Sequence, residues 1–304
     1  MMRINMQSKR RALLFLNAQS RNGHGNMANG VARQLQSGGI TLIESLSKRA
    51  DDMSQEIVRR ADEVDLVIVG GGDGTVNAAL KGIVETGLPL GVLPLGTAND
   101  LARTLGIPIN PEAAVAVIVA GCTRRIDVGT VNDQLFANVA SMGMSVELAR
   151  RLTGNLKRRW GRLSYPLAAL KTMLAMKPFA AEVVTKDRKI QLKSLQIAVG
   201  NGLYYGGGMS VYEVASIDDQ SLDFYSVEPR QSWQWPLFLS AFRRGRHRNL
   251  RKMQAFCSPG PLDIRTDPPL SINTDGEITT TTPARFDLLP LALSVFVPTD
   301  RVEG

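Results

Sequence analysis

Residues 65–75 read DLVIVGGGDGT, and this stretch decides the fold of the chain. After Asp65 the next four residues are all apolar, which predicts a strand buried on both faces of a parallel sheet. The strand runs directly into Gly70-Gly71-Gly72, and a helix is predicted to begin near Thr75. Ligands of open α/β sheets bind beyond the carboxyl ends of strands, where glycine backbone N–H groups can surround an anion. The stretch therefore predicts a phosphate-binding turn.

A second turn of similar design follows at residues 94–100, PLGTAND, again between an apolar strand and a helix. Thr97 can donate a hydroxyl hydrogen bond to a phosphate, while Asn99 and Asp100 can cap the helix. Neither turn matches GxGxxG or GxxxxGK[ST], so the sequence supports neither a dinucleotide fingerprint nor a P-loop. Each turn alone could be a tight connection or a helix cap. Two of them on neighbouring strands favour a nucleotide site.

The chain divides into two regions with different patterns. Strand and helix signals alternate over residues 1–130, which predicts an α/β domain with a parallel sheet. Strand signals separated by turn pairs such as Asn132-Asp133 dominate residues 131–289, which predicts a mainly antiparallel β-sandwich domain. The apolar stretch 291–297 is expected to return to the first domain as part of a C-terminal strand over about 290–304.

The net charge of +8 and the sequence pI of about 9.7 indicate a polyanionic partner, either nucleic acid or an anionic membrane surface. No RNP-like or helix-turn-helix signature accompanies the charge, and composition alone leaves the choice between these partners open. No apolar run approaches the roughly 18 residues that span a bilayer. Cys122 and Cys257 form no CxxC motif and are expected to be ordinary thiols. These features predict a cytoplasmic protein.

A third motif, DGE, occupies Asp275-Gly276-Glu277 in the β-rich region. GGDGT, then PLGTAND about twenty residues later, then DGE resemble the catalytic domain of diacylglycerol kinases and YegS-like bacterial lipid kinases. The resemblance runs from about residue 12 to 297, although GGDGT alone is shared with NAD kinases and loosely with phosphofructokinases. It implies an NAD kinase/diacylglycerol kinase-like α/β domain before the β-sandwich. It also implies an enzyme of lipid metabolism that uses ATP and Mg²⁺ and transfers the γ-phosphate to a lipid hydroxyl.

The resemblance assigns roles residue by residue. Asp275 and Glu277 take the catalytic acid/base position, and which of them is the base stays open. A structural Mg²⁺ site is formed by the side chain of Asp219 with main-chain oxygens of Ser216 and Ser221, although Gln220 replaces the usual glycine of that loop. The residues implied to bind ATP are Ser45, Gly72, Asp73, Gly74, Thr75, Val76, Asn77, Ala78 and Thr97.

A membrane-facing segment is predicted from composition. Residues 233–242 read WQWPLFLSAF, and the next ten residues contain six Lys or Arg. An apolar-aromatic face beside a cationic one is typical of an interfacial segment, and a second basic stretch, residues 150–162, could share it. With the resemblance, the expected partners are a lipid substrate and the anionic inner face of the membrane. Nucleic acid is not expected as a partner, and a homodimer is allowed. The alternatives are an NAD kinase-like phosphotransferase with a soluble acceptor, or a non-catalytic lipid- or nucleotide-binding protein.

Overall fold

The computed structural model describes residues 10–17, 25–45, 52–147, 177–201, 204–205, 209–210, 216–228 and 253–301. The chain separates into two compact units, Met1–Ile126 with Leu291–Gly304, and Asp127–Pro290. The predicted membrane segment at 233–252 and the basic stretch at 150–162 lie outside the described residues.

The first unit is an α/β unit with a parallel sheet. Its strands are β1 (Arg10–Leu16), β2 (Ile40–Glu44), β3 (Leu66–Gly71) and β4 (Leu90–Pro94), in the spatial order β2-β1-β3-β4. Its helices are α1 (Gly25–Ser37), α2 (Met53–Arg59), α3 (Asp73–Thr86), α4 (Asp100–Thr104) and α5 (Pro111–Ala120), with 3-10 turns at Ala61–Glu63 and Thr299–Arg301. Every residue of β3 and β4 is buried, as the uninterrupted apolar runs predict.

Local sequence signals set the ends of the helices in this unit. Asn110 accepts a hydrogen bond from the N–H of Ala113 and caps α5, and Gly121 ends the helix with a φ of 81°. The guanidinium of Arg10 donates to the carbonyls of Ile118 and Val119, which are among the last of that helix. The strand β1 is thereby tied to the C-terminus of α5.

The second unit is built from antiparallel strands. One sheet has the order β14-β13-β10-β7-β16-β17. Its members are β7 (Val139–Gly143), β10 (Gln196–Gly200), β13 (Leu222–Val227), β14 (Met253–Ser258), β16 (Ser271–Thr274) and β17 (Glu277–Thr281). The other strands are β5 (Thr123–Val131), β6 (Gln134–Phe136), β8 (Phe179–Val184), β9 (Lys189–Ser194), β11 (Tyr204–Tyr205), β12 (Met209–Ser210), β15 (Leu262–Asp267) and β18 (Ala284–Phe296).

Apolar side chains from both sets of strands form one core in this unit. Phe136, Phe224 and Phe286 are each at most 1% exposed. Burial of a side chain of this size contributes about 1.5–3 kcal/mol, so these rings are major stabilising contacts. Apolar residues of β7, β10 and β16 belong to the same core, and the ends of these paired strands carry the DGE motif and its neighbours. The predicted fold class, a parallel α/β domain and an antiparallel β domain, is confirmed.

One difference from the sequence prediction concerns the C-terminal strands. The stretch 291–297 was expected to be a strand of the first domain, separate from the β-rich region that ends at residue 289. The structure has a single strand, β18, with Leu291 at a φ of 49°. The start of β18 pairs antiparallel with β15, whereas Val295 pairs parallel with Leu90 of β4. Because the strand changes partner along its length, a proline that cannot donate a ladder hydrogen bond is tolerated in between.

Candidate active site

The two glycine turns of the first unit pack against each other. A Cβ atom on Gly96 would overlap the Cα of Gly72, and one on Gly72 would lie 3.3 Å from the Cα of Gly96. The N–H groups of Leu95 and Gly96 both donate to the carbonyl of Gly71, at 2.9 and 3.2 Å. A side chain at position 96 would force the turns apart, and one at position 72 would crowd them. GGDGT and PLGTAND therefore form one backbone-lined structure.

Asn99 shapes the second turn. It is 4% exposed, has a φ of 52°, and its side chain bonds both the N–H and the carbonyl of Gly96, at 2.9 and 3.1 Å. This closed loop of hydrogen bonds leaves Thr97 exposed at the tip of the turn. Asn99 is thus a turn-forming residue, and Thr97 is the side chain of this turn that can meet a ligand.

Asp73 joins the N-termini of two helices. It is the first residue of α3, and its Oδ1 accepts the backbone N–H of Leu101 in α4 at 3.2 Å. The carboxylate thereby satisfies an N–H group of α4 that has no partner within that helix. Asp73 therefore has a structural role in addition to any role with a ligand.

The remaining residues implied to bind nucleotide lie at the same sheet edge. Thr75 Oγ1 accepts from Asn17 Nδ2 at 3.2 Å, which pins the end of β1 to the glycine turn. Gly74, Asn77 and Ala78 are partly exposed in the first turns of α3, whereas Val76 is 3% exposed and packs in the core. Ser45, directly after β2, donates to Oε2 of the buried Glu56 at 2.7 Å. The carboxyl ends of β1 to β4 thus gather these candidates at one edge.

The DGE motif forms the tight turn between β16 and β17. Asp275 and Gly276 have φ values of 48° and 109°, as in the two-residue turns that suit a β-hairpin. The Asp275 side chain is buried and accepts three backbone N–H groups, from Ala137 at 2.6 Å and from Asn138 and Val139 at 3.0 Å each. Glu277 is exposed, and no hydrogen bond or ion pair to the described residues holds its carboxylate.

The predicted metal loop is organised around Asp219. Its Oδ1 accepts from the N–H of Ser221 at 3.0 Å and its Oδ2 from that of Ser216 at 3.4 Å. Although the residue is exposed overall, partial burial of its carboxyl group raises the pKa of Asp219, and nearby Asp127 and Asp218 add to the rise. A divalent cation would offset this accumulation of carboxylates. Among the residues that the structure describes, no three His, Cys, Asp or Glu side chains form a metal cluster, so a cation here needs main-chain oxygens.

Gln220 replaces the glycine usual in this loop, although the backbone at this position has a conformation that favours glycine. Its φ is 58°, in the left-handed region where glycine is the default residue. Its N–H donates to Oδ2 of the fully buried Asp127 at 2.7 Å, and the N–H of Asp127 donates to the carbonyl of Ile217. These two bonds hold the loop in the shape that a glycine would otherwise favour.

Asp223 and Cys257 form a cross-strand pair next to this loop. Cys257 Sγ donates to Asp223 Oδ1 at 2.8 Å. Burial raises the pKa of Asp223 to about 6. Burial, the hydrogen bond to Asp223 and its charge raise the pKa of the Cys257 thiol to about 12, which makes it a poor nucleophile. Sequence reasoning did not find Asp223, Glu56 or Asp127, since a lone acidic residue in a strand or helix carries no local signal.

A groove of about 440 Å³ lies in the second unit. Its lining includes four charged residues, namely Glu182, Asp263, Arg265 and Arg285. None of the candidate site residues among those described lines it.

Residues 11–131 match the diacylglycerol kinase catalytic domain, and residues 138–297 match the YegS C-terminal NAD kinase beta sandwich-like domain. The chain is 32% identical to a YegS-like lipid kinase of Klebsiella pneumoniae over 260 residues, which covers 81% of this chain and 84% of the relative. The chain therefore belongs to the family of diacylglycerol kinases and YegS-like lipid kinases.

Other relatives agree. A diacylglycerol kinase of Mycobacterium tuberculosis is 29% identical over 290 residues, covering 91% of this chain and 92% of that protein. A YegS-like lipid kinase of Chromohalobacter salexigens is 37% identical, over 56% of this chain and 57% of its own length. The fold matches a crystal structure of a candidate diacylglycerol kinase from Bacillus anthracis, with a TM-score of 0.80, 24% identity and coverage of 96% and 98% of the two chains. Family membership supports a lipid kinase-type function.

Proposed function

We propose that this protein is an ATP-dependent kinase that transfers the γ-phosphate of ATP to the hydroxyl of a lipid such as diacylglycerol or phosphatidylglycerol. The observation that carries the proposal is the backbone contact of Gly72 with Gly96, which joins the two glycine turns at the N-terminus of α3. Phosphate groups fit this junction, because its N–H groups and the helix dipole both favour anions.

The first unit binds and orients the nucleotide in this proposal. Backbone N–H groups of Gly72 and Gly74 and the hydroxyl of Thr97 contact the phosphates, with Asn77 and Ala78 beside them. Ser45 contacts another part of the nucleotide, since Glu56 orients its hydroxyl. Mg²⁺, when bound with ATP, would offset the negative charge of the phosphates. Asp73 is the carboxylate that would meet this ion, directly or through water.

The second unit supplies the base. The oxygen of the lipid hydroxyl bonds to the γ-phosphorus, the bond from that phosphorus to the bridging oxygen breaks, and ADP leaves with the electron pair. Glu277 accepts the hydroxyl proton, because it is the exposed carboxylate of the hairpin. Asp275 acts as its positioning residue through its bonds to residues 137–139. Asp219, with main-chain oxygens of Ser216 and Ser221, holds a structural Mg²⁺ ion.

The protein reaches its substrate by peripheral docking. No helix within the described ranges is long and apolar enough to cross a membrane. We propose a cytoplasmic protein that binds the anionic inner face of the membrane through residues 233–252, where aromatic and basic residues adjoin. A homodimer stays a prediction.

A second candidate is phosphoryl transfer to a soluble acceptor. It is favoured by the likeness of the C-terminal domain to the β-sandwich of NAD kinases. A panel assay separates the two: purified protein is incubated with labelled Mg-ATP and mixed micelles of diacylglycerol, phosphatidylglycerol or sphingosine, and separately with NAD. The proposal expects a phosphorylated lipid. Phosphorylated NAD without a lipid product would overturn it.

A further inference from the structure

Asn201 follows the last residue of β10 and is 1% exposed. Both hydrogens of its side-chain amide are used, since Nδ2 donates to the carbonyl of Asp127 at 2.8 Å and to that of Ala137 at 2.9 Å. Its backbone N–H donates to the carbonyl of Asn138 at 2.7 Å. The residue therefore binds the connection between β6 and β7 at two successive carbonyls.

The same connection between β6 and β7 also binds the DGE turn, through its backbone N–H groups. The N–H groups of Ala137 and Asn138 donate to the carboxylate of Asp275, while their carbonyls accept from Asn201. Val139 adds its own N–H, and its carbonyl accepts the N–H of Asp275 at 3.0 Å. Residues 137–139 are thus held between Asn201 and Asp275.

The side-chain oxygen of Asn201 makes no bond comparable to those of its side-chain nitrogen. Oδ1 is buried and has no hydrogen-bond partner among the described residues. A buried acceptor without a partner is costly, and most buried polar atoms in proteins avoid this state. The two donor bonds of Nδ2 are what this side chain contributes, and an aspartate of the same shape would turn an acceptor toward both carbonyls.

We propose that Asn201 is a positioning residue for phosphoryl transfer: it holds residues 137–139 where they capture Asp275, and so fixes the turn that presents Glu277. This inference rests on the proposed function. Without the side chain of Asn201, residues 137–139 shift. The carboxylate of Asp275 shifts with their N–H groups, because it is hydrogen-bonded to them. Glu277 in the same turn is then displaced relative to the acceptor hydroxyl. Small displacements of a catalytic group lower the rate without weakening nucleotide binding.

The test compares Asn201→Asp and Asn201→Ala with Asn132→Asp in the full chain. Asn132 is a matched control, since its amide also bridges two elements of this unit, Thr280 and Arg285, but does not contact residues 137–139. With Mg-ATP and diacylglycerol micelles, both Asn201 variants should lower kcat about 10- to 100-fold. Their KM for ATP should stay within about twofold, and Asn132→Asp should keep kcat within about twofold.

Two further measurements separate positioning from general damage. Amide hydrogen exchange at residues 137–139 should speed up in the Asn201 variants and not in Asn132→Asp. Combined with Asp275→Asn, Asn201→Ala should add little further loss of kcat, because both changes act through the same segment. If neither variant folds, Asn201→Ser is measured in the same way, and its unfolding would make the residue a general stabiliser and overturn the proposal.

The remaining outcomes are also decisive. An active wild type with an Asn201→Asp variant within twofold of it in kcat would overturn the inference, as would full additivity with Asp275→Asn. A wild type inactive on every lipid would instead overturn the proposed function. In that case faster amide exchange at residues 137–139 in the Asn201 variants would still show that Asn201 holds this segment in place, without a role in lipid phosphorylation.

Discussion

Asp275 and Glu277 are two residues apart in one hairpin, yet the first is buried beneath three backbone N–H donors and the second is exposed. A carboxylate whose oxygens are held by the backbone is suited to fixing the turn. An exposed carboxylate is suited to accepting a proton. In the mechanism that we propose, Asp275 therefore positions the turn and Glu277 accepts the proton.

The first prediction separates these two roles. Glu277→Gln should lower kcat about 10²- to 10⁴-fold, the range for loss of a general base, with unchanged ATP binding and thermal stability. Asp275→Asn should also lower kcat, and it should destabilise the protein by about 1–3 kcal/mol because an amide hydrogen would face buried N–H donors. Steady-state kinetics and urea unfolding measure both. Equal losses of stability in the two variants would contradict the assignment of positioning to Asp275 and of proton transfer to Glu277.

The second prediction concerns the contact between the glycine turns. Gly96→Ala should raise the Kd for ATP at least about tenfold, because its Cβ would overlap Gly72 and force the turns apart. Gly30→Ala in α1 is the matched control, since no atom lies within 4 Å of a Cβ there, and it should bind ATP normally. Titration with a fluorescent nucleotide checks both. Normal binding by Gly96→Ala would show that the turns are a packing feature only.

The third prediction uses the structural bond of Asp73. Asp73→Asn keeps an oxygen that can accept the N–H of Leu101, whereas Asp73→Ala removes it. Both should weaken Mg-ATP binding and abolish turnover, because each removes the charge that we propose to meet the metal. Only Asp73→Ala should also lower the melting temperature. A Mg²⁺ titration of nucleotide binding, with melting curves, distinguishes loss of charge from loss of the helix contact.

The fourth prediction follows from Asp223. Its pKa is raised to about 6 in the folded protein by burial, so the folded state favours the protonated form. Stability from this group is present below the ordinary aspartate pKa and is lost as the pH rises through about 6. Asp223→Asn should remove this dependence and stabilise the protein at pH 7 by on the order of 2–3 kcal/mol. Urea unfolding from pH 4 to 7 with a chelator tests this, with the exposed Asp133→Asn as control.

The fifth prediction tests membrane docking. Binding to vesicles should need anionic lipid and fall with salt, because each basic residue near the surface contributes about 1 kcal/mol. Co-sedimentation should drop when Arg243, Arg244, Arg246 and Arg248 become Ser. A control with the same loss of charge replaces Arg33, Arg59, Lys81 and Lys193, which are exposed. Equal binding by both variants would remove residues 243–248 from docking.

The sequence alone determined the fold class and the positions of the motifs. Uninterrupted apolar runs such as residues 66–69 identify buried parallel strands, and a following glycine run identifies the end of a strand. These signals are local, since they depend on side-chain period and on backbone freedom within a few residues. The order of the three motifs was enough to indicate the family.

Only the tertiary structure decided which polar groups meet. Asp275 contacts backbone groups 136–138 residues away in the chain, and Asn201 contacts carbonyls 64 and 74 residues away. In the sequence Asp275 and Glu277 are equivalent carboxylates on either side of a glycine. What separates them is that residues 137–139 lie beside one and not the other, and the packing of β7 between β10 and β16 decides this. Such long-range contacts leave no periodic or local pattern in a single sequence.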